Sequence, residues 1–267
     1  MEQGIHPHHH DGGTAMKLAI MQPYFLPYLG YWQLIKAADV FVLFDDVQFI
    51  RHGWINRNRI LKPEEGWQYI LVPLQKHSRT ALIKDIRAHP DSDWKEKILR
   101  QLEHYHYGPR TRAPYYGEVR ALLEELFSTI STTSMVQINA HLMRGLCAYL
   151  DIKTRLKISS ECGFDYSQVT DAGEWALNIT QQMKGVQYIN PMAGRHLFAP
   201  DKFMENGVEL MFLDSRMDAY DQRRVFEPGL SLIDILMFTG REGTKKMLES
   251  CTLLPATAQP SGTTFSL

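Results

Sequence analysis

Residues 17–59 read KLAIMQPYFLPYLGYWQLIKAADVFVLFDDVQFIRHGWINRNR, and this stretch decides the fold. Its apolar pattern predicts a strand over 18–21, a loop over 22–28, a helix over 30–38 and a second strand over 40–44. A strand–helix–strand unit is typical of an open parallel sheet, in which ligands bind beyond the carboxyl ends of the strands. We therefore expect the functional site where the loop and the polar residues after the second strand lie.

The loop after the first strand is aromatic, whereas an ordinary surface loop is small and polar. Pro23 and Pro27 restrict its backbone at low entropic cost, which indicates a preformed pocket wall. The glycine at the start of the helix would let a nucleotide approach the backbone, and a helix N-terminus favours phosphate. The alternative is a hydrophobic turn that only packs the helix onto the sheet. The residues predicted to line the pocket are Gln22, Pro23, Tyr24, Tyr28, Gly30 and Tyr31.

A polar segment follows the second predicted strand. Asp45 and His52 are the predicted catalytic residues, because a carboxylate at a strand end or a nearby imidazole can accept a proton. Arg57 and Arg59 offer guanidinium forks that suit phosphate or carboxylate. The alternative is a solvated turn with capping aspartates. The predicted substrate-binding residues of this segment are Asp46, Gln48, Arg51, Trp54, Asn56, Arg57, Asn58 and Arg59.

Two later strand ends also carry polar groups. Residues 67–74 predict a third strand that is followed by Lys76, and residues 187–190 predict a short strand that leads into Asn190, Gly194 and Arg195. The second of these loops could close over a phosphate, although it lacks a Gly-rich run before Lys–Ser/Thr. We add these four residues to the substrate-binding set. No metal site is predicted, because the histidines and cysteines lack metal-ligand spacing.

Helical spacing of apolar residues recurs over 93–104, 118–127, 134–150, 172–183 and 231–239, and a last strand is predicted over 209–213. This order predicts a Rossmann-like α/β fold, an open and mainly parallel sheet with additional helices in the C-terminal half. We expect one domain over residues 16–254, with an α/β part to about residue 90 and helical additions to about residue 185. Residues 1–15 are expected to be an expression leader. The chain is expected to fray from Thr252, with a flexible tail over 255–267.

The composition restricts the class of function. The 267-residue chain is 44% apolar and carries 29 basic and 30 acidic residues, for a net charge of −1. This balance argues against nucleic acid or an anionic membrane as a partner. No apolar run has the length of a membrane span, and no signal peptide is recognisable. The three cysteines are widely spaced and suit a reducing cytoplasm.

Four segments together resemble the WbqC-like family over residues 16 to about 254. They are MQPYFLPYLGYWQLI (21–35), FDDVQFIRHGWINRNRI (44–60), YINPMAGRHLF (188–198) and VFEPGLSLIDILMF (225–238). The resemblance implies work on a nucleotide-linked sugar, and on an amino sugar in particular, for bacterial surface polysaccharides such as the O-antigen of lipopolysaccharide. The opening unit is also remotely similar to pantothenate synthetases and nucleotidylyltransferases. Tyr28 and Tyr31 stand where those enzymes carry signature histidines, so ATP use is not implied by the match.

The leading hypothesis is a transferase or ATP-dependent amide-forming ligase that attaches an acyl or aminoacyl group, for example glycyl, to the amine of a nucleotide-linked amino sugar. Asp45 or His52 would deprotonate the amine, because an ammonium ion is not a nucleophile. Arg57, Arg59 and Arg195 would hold the phosphates. One alternative is nucleotidyl transfer to a sugar phosphate, with ATP and with Mg²⁺ at Asp45. Another is a non-catalytic sugar-nucleotide-binding protein. Assembly as a homodimer is compatible with each of these three hypotheses.

Overall fold

A computed structural model describes residues 15–108 and 112–257. The strands in these residues are β1 (Lys17–Met21), β2 (Val40–Leu43), β3 (Arg57–Leu61), β4 (Trp67–Leu71), β5 (Arg155–Ile158), β6 (Gln187–Pro191), β7 (Glu209–Ser215) and β8 (Cys251–Pro255). The helices are α1 (Leu29–Ala37), α2 (Trp94–Gln101), α3 (His104–Tyr107), α4 (Tyr116–Ser128), α5 (Met135–Tyr149), α6 (Glu174–Gln182), α7 (Pro200–Glu205) and α8 (Leu232–Met247). Short 3₁₀ helices cover Ile83–Asp85, Ser159–Glu161 and Met192–Leu197.

Six strands form one sheet in the order β5-β2-β1-β6-β7-β8. All neighbours are parallel except β7 and β8, which are antiparallel. The chain passes from β1 to β2 on one side, whereas β6 lies on the other side of β1, so the direction of winding changes between β1 and β6. A change of this kind opens a crevice at the carboxyl ends of the two strands. The predicted Rossmann-like, mainly parallel α/β fold is confirmed.

The sheet is central because its inner strands β1, β2, β6 and β7 are mostly buried on both faces. All four residues of β2, VFVL, are buried, as expected for a strand covered on both sides. Successive side chains alternate between two cores. Ala19 and Phe41 belong to the core that includes α1 and α8, and Leu18 and Val40 belong to the smaller core beneath α6 and α7.

The register brings the two predicted halves of the site to one edge. Met21 pairs with Leu43, and the backbone N–H of Phe44 donates to the carbonyl of Met21 at 2.8 Å. Gln22 and Asp45 therefore leave the sheet at the same edge, on neighbouring strands.

β3 and β4 form a separate two-stranded antiparallel hairpin. Residues 67–71 are a strand as predicted, but they pair with β3 and not with the main sheet. The polar residues 57–59, for which a solvated turn is the alternative to a binding segment, are the other strand of the hairpin. Asn58 and Ile60 are buried on one face, whereas Arg57 and Arg59 lie on the other. The sequence conceals this alternation because the first buried position is an asparagine.

The six predicted helices all form, with ends that shift by one to three residues in most cases. Ser134 and Ser231 cap α5 and α8, since their hydroxyls accept hydrogen bonds from the backbone N–H groups of Gln137 and Ile233. The last helix continues past residue 239 to Met247, with a break at Gly240, where φ is 66° and ψ is −174°.

The C-terminal segment differs from expectation. Cys251–Pro255 does not fray but forms β8, which pairs with β7 from Met211 to Ser215. Pairing with a buried strand outweighs the turn-like composition of the segment, which a local analysis cannot detect. The expected leader lies outside the described residues except for Ala15, and so does the expected tail beyond Thr257. In the described part of the chain, no helix is long and apolar enough to cross a membrane.

Candidate functional site

The aromatic loop, residues 22–28, is fixed to the β3–β4 hairpin. The backbone N–H of Phe25 donates to the carbonyl of Trp54 at 2.9 Å. The side-chain amide of Asn58 donates to the carbonyls of Phe25 and Leu26 at 2.9 and 2.7 Å. Asn58, predicted to bind substrate, is only 3% exposed and therefore holds the loop from beneath.

The start of α8 holds the same loop from the other side. Ser231 donates from its hydroxyl to the carbonyl of Leu26 at 2.7 Å, and the N–H of Leu232 donates to the carbonyl of Pro27 at 2.9 Å. Ser231 also forms an antiparallel bridge with Tyr28 and donates from its N–H to the carbonyl of Arg59 at 2.8 Å. The loop is thus a preformed wall, joined to both the hairpin and α8.

Three tyrosines of this region have different degrees of burial. Tyr24 stacks on Tyr31 with ring centroids 5.1 Å apart, and the hydroxyl of Tyr31 donates to the carbonyl of Gln22 at 2.7 Å. Tyr31 is 1% exposed and Pro23 is also buried, so both support the wall from within. Tyr24 and Tyr28 are partly exposed. Burial, and then the neighbouring Tyr24, raise the pKa of Tyr28 to about 12, so its hydroxyl is a neutral hydrogen-bond donor.

Gly30 is required by packing. A Cβ atom at this position would lie 2.8 Å from Oγ of Ser215 and 2.9 Å from the ring of Tyr28. The absence of a side chain therefore lets α1 approach the end of β7. The predicted approach of a nucleotide to Gly30 stays a prediction.

Asp45 is held inside the protein at the end of β2. It is 1% exposed, and its carboxylate accepts hydrogen bonds from the hydroxyl of Ser159 at 2.8 Å and from the N–H and hydroxyl of Ser160 at 2.9 and 2.7 Å. Its own N–H donates to the hydroxyl of Ser159. These contacts tie the ends of β2 and β5 together, and they occupy most of the carboxylate.

Asp46 is the more accessible of the two carboxylates. Lys84 donates to one of its oxygens at 3.0 Å, and the hydroxyl of Tyr166 donates to the other at 2.9 Å. Burial by itself raises the pKa of Asp46, but hydrogen bonds from Ser159, Lys84 and Tyr166 outweigh it and hold the pKa below its usual value. Asp46 is therefore a fixed anion at the carboxyl edge of the sheet.

The connection from Asp46 to the hairpin is exposed at Gln48 and at residues 50–52, and it is buried at Phe49 and Ile55. Gln48 donates to the carbonyl of Arg79 at 2.8 Å, and Asn56 donates to the carbonyl of Val72 at 2.9 Å. Arg51 and His52 are exposed, and His52 adopts a positive φ of 63° in a turn. The guanidinium of Arg57 donates to the carbonyls of His52 and Gly53, which places His52 next to the hairpin.

The outward face of the hairpin carries two arginines between aromatic rings. The guanidinium of Arg57 lies 4.4 Å from the ring centroid of Tyr69 and 5.9 Å from that of Trp54. That of Arg59 lies 5.3 Å from Trp54 and 5.2 Å from Trp67. We call these five residues the arginine–aromatic ladder. No ion pair joins either arginine to a carboxylate within residues 15–108 and 112–257, and Nε of Arg59 is buried without a hydrogen-bond partner there.

The residues predicted after β4 and β6 are more dispersed. Lys76 is exposed. Asn190 accepts from the hydroxyl of Tyr188 and donates to the carbonyl of Pro191, and a Cβ at Gly194 would collide with its amide. The guanidinium of Arg195 donates to the carbonyl of Ala256 and lies 5.6 Å from the ring centroid of Phe212, so it is held over β7 and not at the hairpin.

Several residues of the site were not predicted from the sequence. Lys84 and Tyr166 orient Asp46, Ser159 and Ser160 hold Asp45, and Ser231 fixes the aromatic loop, but all come from distant parts of the chain. Trp67 and Tyr69 could have been found, because they alternate with the buried positions of WQYIL and so share one face of a strand.

Within the described residues, no group of three or more His, Cys, Asp or Glu side chains could hold a metal ion. The carboxylates at the end of β2 are already engaged by hydroxyl, amide and ammonium donors. The site as described thus offers guanidinium groups, aromatic faces, one fixed carboxylate and an exposed imidazole.

The described chain is a Rossmann-like α/β protein in which a rigid aromatic loop leaves the carboxyl edge of the sheet and contacts the hairpin that carries the arginine–aromatic ladder. The chain belongs to the WbqC-like protein family, which matches residues 22–246. It is also 30% identical over 230 residues to the "Uncharacterized protein Rv1507c" of Mycobacterium tuberculosis (strain ATCC 25618 / H37Rv), a match that covers 85% of this chain and 95% of that protein. No solved structure matches the chain significantly.

Proposed function

We propose that this protein is an enzyme of bacterial surface polysaccharide synthesis, of the O-antigen type, that transfers an acyl or aminoacyl group to the amine of a nucleotide-linked amino sugar. Glycyl is one candidate group. We place the reaction in the cytoplasm, a compartment compatible with the free thiols of Cys147, Cys162 and Cys251. Assembly as a homodimer stays a prediction.

The arginine–aromatic ladder is the observation that carries this proposal. Guanidinium forks bind phosphate oxygens, and aromatic faces stack on nucleobases or pack against sugar rings. Arg57 and Arg59 donate to backbone carbonyls, but neither pairs with a carboxylate in the described structure, so they can bind an anionic ligand without breaking an ion pair. A nucleotide-linked sugar combines the rings and the phosphates that such a surface recognises.

The proposed reaction forms an amide bond. The amine nitrogen attacks the carbonyl carbon of an activated acyl donor, such as a thioester or acyl adenylate, and the leaving group departs with the bonding electron pair. A base takes the proton that the amine loses. Of the two predicted catalytic residues, we assign this role to His52, which is exposed and next to Arg57. Asp45 positions Ser159 and Ser160, since its carboxylate is buried and already hydrogen-bonded.

The alternative of nucleotidyl transfer with Mg²⁺ has no specific support in the site. Its predicted magnesium ligand is Asp45, whose carboxylate accepts three hydrogen bonds and is 1% exposed. The donor set therefore does not fit that ion at this position, and we derive no step through it.

Ligand binding is tested by thermal denaturation with UDP-, GDP-, CDP- and dTDP-linked amino sugars. A ligand at about one hundred times its dissociation constant adds about 2.7 kcal/mol of stability, which is readily measured as a rise in Tm. We expect at least one of these compounds to raise Tm in the wild type and to bind about tenfold more weakly to Arg57→Ala and Arg59→Ala. Arg155→Ala is the matched control, because Arg155 is also a strand arginine but begins β5, opposite Val40 and so at the end of the sheet away from the carboxyl edge. Binding that both hairpin substitutions leave unchanged would refute the proposal.

Turnover is tested by incubating the bound sugar nucleotide with radiolabelled acyl and aminoacyl donors. We expect label to enter the sugar nucleotide, and His52→Ala to lower kcat while leaving the affinity for the nucleotide unchanged. Binding without any transfer would instead support the non-catalytic alternative.

A further inference from the structure

We propose that Asp46 recognises the ribose hydroxyls of the bound nucleotide, and so selects ribonucleotide-linked over deoxyribonucleotide-linked sugars. The inference rests on the proposed function, because it assumes a nucleotide in the crevice at the carboxyl edge. It assigns Asp46 a specificity role that differs from that of Asp45, although the two residues are adjacent in the sequence.

The position of Asp46 in the sheet is the first argument. β2 is the neighbour of β1 on the side away from β6, and Asp46 follows β2 by three residues. In sheets with this strand order, a nucleotide lies across the carboxyl end of the first strand, and an acidic residue at the end of the second strand reaches the ribose. Gln22 and Asp46 are 24 positions apart, close to the spacing of about 20 residues typical of that arrangement.

The state of the carboxylate is the second argument. The Asp46 side chain is 11% exposed, so one side of it can still be reached. Lys84 donates to one of its oxygens and Tyr166 donates to the other, and a carboxylate offers about four acceptor positions in all. A ribose diol presents two hydroxyl donors on adjacent carbons, which a fixed, ionised carboxylate can accept together.

The environment of Asp46 fixes its orientation before a ligand binds. The ring of Tyr166 packs against Phe44 and Trp175, with centroids 6.4 and 4.7 Å away. Lys84 is held because its backbone N–H donates to the carbonyl of Asp45 at 3.0 Å. Lys84 and Tyr166 are therefore positioning residues, and their loss would relax the carboxylate without removing it.

Asp45 cannot take this role as the structure stands. Its three donors come from Ser159 and Ser160, and its side chain has no solvent-facing surface comparable to that of Asp46. Asp45 thus joins the ends of β2 and β5, whereas Asp46 contacts the ligand.

The test compares the dissociation constants of ribonucleoside diphosphates with those of their 2′-deoxy and 3′-deoxy counterparts, for the full chain and each of the four bases. We expect the ribose form of the preferred base to bind about tenfold or more tightly, as is usual for a hydrogen bond to a charged acceptor. Asp46→Asn should reduce this ratio to near one, and Lys84→Met and Tyr166→Phe should reduce it partly. Glu174→Gln is the matched control: Glu174 also pairs with a lysine, at 2.7 Å from Nζ of Lys202, but lies at the start of α6.

The outcomes separate this inference from the function on which it rests. If nucleotides bind but the ribose and deoxyribose forms bind equally to the wild type, the role of Asp46 is wrong and the proposed function stands. A ratio that Asp46→Asn leaves intact also overturns the inference. Absence of binding by every nucleotide would refute both. If Asp46→Asn fails to fold, equal binding of the two forms by the wild type still overturns the inference, and the partial loss of the ratio in Lys84→Met and Tyr166→Phe still tests the role of Asp46.

Discussion

Leu26 holds a left-handed backbone conformation in the middle of the aromatic loop, with φ of 45°. For a residue with a side chain this conformation costs about 1–3 kcal/mol and persists only where the surroundings enforce it. Here the side chain is 2% exposed, and the carbonyl accepts hydrogen bonds from Asn58 and Ser231. Local strain is thus offset by contacts from β3 and α8, which is how a loop this short becomes a fixed wall.

Replacing Ser231 by Ala should loosen that wall. The substitution removes the hydrogen bond to Leu26 and the N-cap of α8, so we expect a loss of about 2 kcal/mol in the free energy of unfolding, measured by urea denaturation. Ser128→Ala is the control, because Ser128 donates only to the carbonyl of Glu125 near an exposed helix end. We expect a change within about 0.5 kcal/mol for the control. Equal losses in the two variants would show that Ser231 does not hold the loop.

Asp234 is the second residue whose environment has a measurable consequence. It is fully buried, and it accepts hydrogen bonds from the hydroxyls of Tyr105 and Tyr220 and from the amide of Gln222. Burial raises its pKa to about 6, although these three donors oppose the shift. The folded protein therefore binds a proton at Asp234 more tightly than the unfolded chain does, for which the ordinary value of 3.8 applies.

Because the folded protein binds this proton more tightly, its stability should fall as the pH rises. Protonation of Asp234 contributes about 3 kcal/mol to the free energy of unfolding. This contribution is fully present below about pH 4 and is lost as the pH rises through about 6. Asp234→Asn removes the titration, so the free energy of unfolding of the variant minus that of the wild type should increase by up to this amount between pH 4 and pH 7. Urea denaturation at several pH values gives the difference. A difference that stays constant, or falls, would contradict the assignment.

At the scale of the elements, α8 has two parts that meet at Gly240. With φ of 66° and ψ of −174°, this residue occupies a region open almost only to glycine. A Cβ there would also lie 2.6 Å from the ring of Tyr115. The break thus allows α8 to pass closely over the start of α4.

Gly240→Ala should therefore destabilise the protein by about 2 kcal/mol or more, through both strain and overlap. Gly117→Ala is the opposite case, since Gly117 lies in α4 and a Cβ there meets nothing within 4 Å. We expect that variant to be as stable as the wild type or up to about 1 kcal/mol more stable. Thermal denaturation of the two variants checks the difference. Equal Tm values would show that α8 tolerates a side chain at residue 240.

The helices and strands show which sequence patterns are sufficient to predict an element of secondary structure. The apolar runs of β1 and β2 and the stripes of α4 and α5 predict those elements, because burial follows a simple period. The hairpin was only half predicted, since Asn58 takes a buried position that the pattern assigns to an apolar residue. β8 was missed because its stability comes from pairing with β7, a partner about forty positions away.

At the scale of the whole molecule, the site is assembled from segments that the sheet order brings together. The aromatic loop, Asp46 and the ladder lie within residues 22–69, and the sequence places them near one edge. Lys84, Tyr166 and Ser231 could not be foreseen, because their roles depend on how the chain returns to that edge. Arg195 illustrates the converse: it follows a strand end, yet its side chain extends over β7 to Ala256.

The central claim is that the arginine–aromatic ladder and Asp46 hold one nucleotide-linked sugar. A crystal structure of the protein with the sugar nucleotide that gives the largest rise in Tm tests it most directly. We predict phosphate oxygens within hydrogen-bond distance of Arg57 or Arg59, and the ribose hydroxyls at the carboxylate of Asp46. A nucleotide found elsewhere, for example in the cleft of about 240 Å³ beside His196 and Lys202, would contradict the account.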